Sequence, residues 1–298
     1  MSPGEFMAEE IASQPHAWRE AARLAGESSG ALPAPGQRVA VVGCGTSWFM
    51  AQAYAARREA AGLGVTDAFA ASEAPVTGRG YDAIVAISRS GTTTEVLQVL
   101  REVRGRIPSI AVIGAPGTPM VSAADAVVAL PFADERSVVQ TRFATSALIL
   151  LRAHLGEDVT SAIAGAEQAL RRPVDAAWVT AEQFAFLGRG WTCGLASEAA
   201  LKMREASQSW TESYPAMEYR HGPISIAAPG RVTWMLGPAP DGLDAEVKEA
   251  GALFVQHAGD PLADLVLIQR VALERALARG LNPDTPRHLS RSVVLSPR

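Results

Sequence analysis

Seven consecutive residues, Ser88-Arg89-Ser90-Gly91-Thr92-Thr93-Thr94, carry five hydroxyls. They follow an apolar run, Tyr81 to Ile87, that reads as a strand, and precede Glu95 to Arg104, which reads as a helix. A loop of this composition at the carboxyl end of a strand can donate several O–H and N–H bonds to one phosphate. Gly91 lets the backbone amides turn inward without a Cβ penalty. A polar helix cap uses the same residue types, with Glu95 in the first turn, so the capping and phosphate uses coexist. A second turn, Gly43-Cys44-Gly45, precedes Thr46 and Ser47 at the start of another helix. Their hydroxyls and amides suit an anion, and an ordinary strand-to-helix turn has the same look. Trp48 stands where a dinucleotide fingerprint needs its third glycine.

Proton chemistry has separate candidates. Glu198, Lys202 and Glu205 are spaced i, i+4 and i+7, on one stripe of a helix. Leu195, Ala199, Met203 and Ala206 form an apolar stripe beside it. A solvated charged face gives the same pattern. In a doubly wound sheet, however, helices have apolar neighbours, so a charged stripe faces a crevice. A carboxylate there, steered by an ammonium, is a candidate proton carrier. His221 lies in Tyr219-Arg220-His221-Gly222-Pro223, where Gly-Pro forces a loop. It gains weight only from Glu205, 16 residues earlier.

The elements that must position these groups follow from the chain as a whole. Its 298 residues suit one large or two ordinary domains. Hydrophobic residues make up 48% and charged residues 19%, enough for a packed core. A net charge of −4 argues against nucleic acid as the main partner. Two cysteines, Cys44 and Cys193, make no disulfide framework, and a reduced cytoplasmic setting is expected. No apolar run spans a bilayer, so no membrane partner is expected. The N-terminus is polar and acidic, unlike a signal peptide, and Met7 is a candidate start preceded by a leader, Met1 to Phe6.

Glu9 to Gly26 reads as a helix interrupted near Pro15. Ser28 to Gly36 reads as a linker. Strands are expected at 38–42, 81–87, 109–113 and 126–130, alternating with helices at 48–61, 95–104 and 141–155. Continuous apolar strands separated by helices indicate a parallel sheet covered on both faces. The pattern then restarts with a strand at 184–187, a Gly188-Arg189-Gly190 turn and a helix at 194–208. Gly43 and Gly188 lie 145 residues apart (188 − 43), as do Gly45 and Gly190. Further strands at 232–236 and 252–255 and a helix at 262–278 follow, with no counterpart of the strand at 126–130. Two similar α/β halves, the second shortened, are the economical architecture.

Five segments together resemble the SIS (sugar isomerase) family over nearly the whole chain. Cys44 to Ser47 reads Cys-Gly-Thr-Ser, and Ser88 to Thr93 reads Ser-x-Ser-Gly-x-Thr. Glu198 to Glu205 reads Glu-x-Ala-Leu-Lys-x-x-Glu, Glu218 to Pro223 reads Glu-x-x-His-Gly-Pro, and Pro286 to Leu289 reads Pro-Arg-x-Leu. Most similar are the isomerase half of glucosamine-6-phosphate synthase and the stand-alone glucosamine-6-phosphate deaminases and fructosamine-6-phosphate deglycases. The resemblance implies an α/β fold of two tandem SIS-type halves, each a parallel sheet flanked by helices in three layers. It places an N-terminal helical segment and linker at 1–36, a first domain at 37–160, a connecting helix at 161–178, and a second, shortened domain with a tail at 179–298.

The same resemblance implies that Thr46, Ser47, Ser88, Ser90 and Thr93 hold a sugar phosphate, with Arg89 where the family has a polar residue. Glu205 would move a proton between C1 and C2 of the open-chain sugar, oriented by Glu198 and Lys202. His221 would open the ring, reaching the site of a second copy of the chain in a homodimer. Val138 to Arg142 resembles a loop that touches the sugar, through Val138 and Gln140. The synthase has a tail lysine where this chain has Arg291, which is counted with the catalytic residues, beside Ser290, which is counted with the substrate-binding residues. A guanidinium cannot act as an amine nucleophile or base, which leaves anion binding for Arg291. No glutaminase half with an N-terminal cysteine nucleophile is present. A stand-alone module is better placed to release ammonia than to incorporate it, so deamination of glucosamine 6-phosphate is the expected reaction. No metal or cofactor is expected. A non-catalytic sugar-phosphate sensor and a deglycase are the alternatives.

Overall fold

The computed structural model describes residues 2–295. The chain begins with helices α1 (Glu5–Ala12) and α2 (Gln14–Glu27). Then come β1 (Val39–Gly43), α3 (Thr46–Ala60), β2 (Thr66–Ala70), β3 (Ala83–Ser88), α4 (Thr94–Val103), β4 (Ser109–Ile113), α5 (Pro119–Ala123) and β5 (Ala126–Ala129). Helices α6 (Arg142–His154), α7 (Thr160–Arg171) and α8 (Ala176–Thr180) follow. The remainder is β6 (Gln183–Gly188), α9 (Thr192–Ser207), β7 (Trp210–Pro215), β8 (Arg231–Met235), α10 (Leu243–Glu249), β9 (Leu253–Gln256) and α11 (Pro261–Ala278).

Contacts divide the chain into two units. One comprises His16–Arg136, Arg142–Val159 and 289–295. Its sheet has strand order β2-β1-β3-β4-β5, all parallel. Strands β1, β3 and β4 are buried along their whole length because helices must cover both faces of a parallel sheet. Leu97, Leu100 and Val103 of α4 pack on Ile84, Ala86 and Ile113 in one cluster, so the helix rests firmly behind the hydroxyl loop. Gly43 ends β1 where a Cβ would lie 2.7 Å from the carbonyl carbon of Ser47. Only glycine fits that turn.

The other unit comprises 2–15, Ser137–Thr141 and Thr160–His288. Its four strands are also parallel, in the order β7-β6-β8-β9. Gly188 repeats the tight exit from its strand, a Cβ there lying 2.3 Å from the Thr192 carbonyl oxygen. Arg275 of α11 is fully buried and ties this unit together. It donates to the carbonyls of Trp178, Val179 and Ala181 and to Ser209 Oγ, and lies 4.8 Å from the centre of the Phe184 ring. Burial pulls its pKa down to about 10, so it stays charged at neutral pH. Arg275→Lys keeps the charge and loses the fork, leaving buried carbonyls short of donors. Urea denaturation is expected to show a loss of about 2 kcal/mol.

Several sequence expectations change. The edge strands β2 and β7 were not foreseen. Their sequences, TDAFA and WTESYP, are mixed and only partly buried, because an edge needs apolar contact on less of its surface. The short helices α5 and α10 were also missed. The expected single helix at 161–178 is broken into α7 and α8 around Pro173, which lacks the amide donor. Within the presumed leader, Met1 lies outside the described residues. Residues from Glu5 are part of α1, Met7 is fully buried, and the Gly4 amide donates to Asn282. Residues 2–15 cluster with the later part of the chain, and 289–295 with the earlier part. No helix among the described residues is long and apolar enough to cross a membrane.

Candidate functional site

The hydroxyl loop forms where β3 ends and α4 begins. Ser88 Oγ accepts from the Gly91 amide at 3.2 Å, and Ser90 Oγ accepts from the Thr92 amide at 3.3 Å. Thr93, the residue before α4, brings its hydroxyl to 3.5 Å from Ser88 Oγ. Gly91 has φ +62°, and a Cβ would lie 2.0 Å from Thr118 Oγ1. The loop therefore curls into a small cup lined by neutral donors. Next to it, Thr46 and Ser47 are the buried opening residues of α3.

Arg89 differs from its neighbours. Its guanidinium is enclosed, 3.9 Å from Glu135, and it donates to the Arg291 carbonyl at 2.8 Å. It braces the loop and the tail. The tail residues lie against this same loop. Arg291 pairs with Asp134 and donates to the Glu135 carbonyl, so its guanidinium anchors the tail. Ser290 is exposed and bonds Ser292 within the tail. Ser292, which sequence reasoning passed over, has its Oγ 3.0 Å from Ser90 Oγ, 2.9 Å from Thr92 Oγ1 and 3.4 Å from Thr93 Oγ1.

Cys44, in the turn before α3, carries a thiol pushed up to about 11, first by burial and then by Glu95. Such a thiol is neutral at pH 7 and is no nucleophile there. Because the folded pKa exceeds the ordinary value of about 8.5, the folded state keeps this stabilisation below that pH. It loses it as pH rises toward 11. Iodoacetamide should modify Cys44 in the folded protein only slowly at pH 8 and much faster above pH 10, as read by peptide mass spectrometry. Rapid modification at pH 8 would contradict this.

The other unit holds the ionic group. On α9, Lys202 Nζ lies 3.5 Å from Glu198 Oε1 and 2.5 Å from Glu205 Oε2. Lys202 and Glu198 are buried, whereas the Glu205 side chain keeps 22% of its surface exposed. The i, i+4, i+7 stripe is therefore an organised triplet, with Glu205 its accessible end. His221 follows a single 3-10 turn, Glu218–Arg220. Tyr219 is buried with its hydroxyl 3.1 Å from Thr233 Oγ1, and Arg220 forms a two-pronged pair with Glu246. These residues pin the loop from opposite sides and leave His221 exposed. Among the described residues no hydrogen bond joins His221 to Glu205. Val138 and Gln140 belong to this unit too. The Val138 amide donates to the Asp284 carbonyl, and Gln140 Oε1 is buried without a hydrogen-bond partner among the described residues. No cluster of three or more potential metal ligands occurs among the described residues.

Comparison with known proteins adds the family. Residues 34–155, which contain the turn after β1 and the hydroxyl loop, match the SIS domain. The chain carries an SIS domain. It is 31% identical to a glutamine–fructose-6-phosphate aminotransferase (isomerizing) of Aeropyrum pernix over 97% of its own length. It is 27% identical to the enzyme of the same name from Sulfolobus acidocaldarius over 87% of its length. The SIS-containing chain spans only 57% and 50% of those two relatives. Among solved structures, a glucosamine-6-phosphate deaminase from Thermotoga maritima superposes with TM-score 0.79 and 24% identity, covering 98% of this chain and 100% of that one. A tagatose-6-phosphate ketose/aldose isomerase from Escherichia coli reaches TM-score 0.81 at 16% identity, with 99% of each chain covered. These structural likenesses concern the fold.

Proposed function

We propose that this protein is a phosphosugar isomerase acting on an amino-sugar phosphate, of the glucosamine-6-phosphate deaminase type, built from two SIS-type halves. The observation that carries the reading is Glu205. It is an accessible carboxylate held by a buried ammonium, in a chain whose SIS domain also presents a hydroxyl-rich loop at a helix N-terminus. Ser88, Ser90, Thr93 and Ser47 hold the phosphate with neutral donors and helix amides. Glu205 takes the proton from C2 of the open-chain sugar and delivers it to C1. An imine remains at C2, and water hydrolyses it to a ketose phosphate and ammonia. Lys202 orients Glu205, and the buried Glu198 holds Lys202. His221, exposed on its pinned loop, serves ring opening in a second copy of the chain. The relatives named for fructose-6-phosphate chemistry support the substrate class.

The test is a thermal-shift panel of hexose and hexosamine phosphates, followed by coupled assays of the best binder for ammonia release and for ketose formation. Turnover of glucosamine 6-phosphate with stoichiometric ammonia is expected. Isomerisation without ammonia would replace the deaminase reading, and binding without turnover would replace the enzyme with a sensor.

A further inference from the structure

Arg89 is a charged residue set into a loop of neutral donors. It stands between Ser88 and Ser90, whose hydroxyls line the cup. Its side chain is only 1% exposed and faces Glu135, which is fully enclosed, at 3.9 Å. Arg89 also donates to the Arg291 carbonyl at 2.8 Å, a neutral acceptor that does nothing to cancel its charge. Glu135 is fixed in turn. Its Oε1 accepts from the Arg142 amide at the start of α6 at 2.8 Å, and its carbonyl accepts from the Arg291 guanidinium. The neighbouring cations are engaged with Asp134: Arg142 Nε donates to its carbonyl at 3.2 Å, and Arg291 pairs with its carboxylate. The loop does not owe its shape to the Arg89 side chain. The Gly91 and Thr92 amides turn back onto Ser88 and Ser90, and the Arg89 carbonyl accepts from the Gly114 and Ala115 amides at 3.2 and 3.0 Å. A buried ion pair is also a poor way to hold a fold, since apolar side chains of similar volume often do as well or better. What the pair does change is the charge felt in the cup.

We propose that Glu135 sets the charge of the hydroxyl cup by cancelling Arg89, and so fixes how tightly the site holds a phosphate dianion. The inference rests on the reading of this loop as a phosphate site. A guanidinium stays within one side-chain length of its own backbone, so an uncancelled Arg89 would act directly on an anion in the cup. At the effective dielectric of about 20 that suits protein sites, an attraction over that range changes affinity about tenfold or more. Burial leaves it little screened by salt. With a carboxylate 3.9 Å away, the same guanidinium contributes only the field of a dipole, which fades quickly with distance. The cup is then left to its hydroxyls and helix amides, which bind phosphate without a full positive charge. Removing the two partners one at a time therefore has opposite effects. Without Glu135 the cup gains a positive neighbour, and without Arg89 it gains a negative one. A pair that only braced the loop would weaken binding in both cases. Glu135 is thus a positioning residue, acting on the ligand through Arg89.

The test titrates inorganic phosphate and glucosamine 6-phosphate by calorimetry into the full chain and three variants, Glu135→Gln, Arg89→Gln and the two combined. Glu135→Gln should bind both ligands about tenfold more tightly and Arg89→Gln about tenfold more weakly. The combined variant should return to within about threefold of the unaltered chain. Unchanged or weaker binding by Glu135→Gln, or unchanged or tighter binding by Arg89→Gln, overturns the proposal and makes the pair a brace. A loss of about tenfold in the combined variant also overturns it, since Arg89 would then be lending its charge to the ligand in spite of Glu135. Each single variant leaves one buried charge unpaired, so either can fail to fold. If one does, the sign of the other against the combined variant decides. If both do, the combined variant decides alone, retained affinity supporting the neutral cup and a loss of about tenfold overturning it. Failure of the unaltered chain to bind either ligand overturns the phosphate site itself, and the role of Glu135 with it.

Discussion

Glu205→Gln should lower turnover of the preferred amino-sugar phosphate by about 10²- to 10⁴-fold, the usual contribution of a positioned general base, and leave ligand affinity within a few-fold. The amide keeps the size and the hydrogen bond to Lys202 but cannot accept a proton. Lys202 pairs with Glu205 at 2.5 Å, so the variant's side chain should stay in place and isolate the loss of basicity. The split between kcat and affinity separates this role from a structural one. A rate within threefold of the unaltered protein would remove Glu205 from the mechanism. Equal losses of affinity and rate would make it a binding residue.

The second large effect concerns stability. Lys202→Met is expected to cost about 3–5 kcal/mol at pH 7, because it strips the ammonium from a carboxylate that is only 1% exposed. The pH dependence gives the cause its signature. Without Lys202, burial should raise the folded-state pKa of Glu198 above its unfolded value. The penalty is then small below the unfolded value of about 4.3 and grows as pH rises through the folded one. Denaturant melts of both proteins at pH 4.5 and pH 7 measure it, and their stability gap should widen with pH. Adding Glu198→Gln to Lys202→Met should recover much of the loss, since no buried charge is then left exposed to the defect. A gap that is constant with pH would show that packing of the lysine stem, rather than charge, is what the substitution removes.

Much of the fold could be read from the chain because its inner strands are buried on both faces. Val39 to Gly43 and Ala83 to Ser88 have no exposed position to dilute their apolar character. The turn after each is marked by glycine or by clustered hydroxyls. Thr66–Ala70 and Trp210–Pro215 were illegible for the opposite reason, since an edge strand is defined by its neighbour more than by its composition. Glu198, Lys202 and Glu205 were legible because helical spacing converts directly into proximity. The positions of Arg89 and Arg291 were not. The local motif places Arg89 in the loop, but the burial of its guanidinium depends on Glu135 and on a carbonyl about 200 residues away in sequence. Likewise, Ser292 lies in no motif, and only the folded path of the tail brings its hydroxyl to the loop.

The turns at Gly43 and Gly188 obey one steric rule, since in each the main chain of the following helix occupies the space of a Cβ. The residues just beyond them are quite different: Cys44, Thr46 and Ser47 after one, Arg189, Trp191 and Thr192 after the other. Mutational drift is therefore forbidden at the glycine and permitted immediately after it. Invariance at these two positions among related chains would record the closeness of strand and helix and carry no information about substrate. Divergence in the next few residues is where a change of specificity would be written.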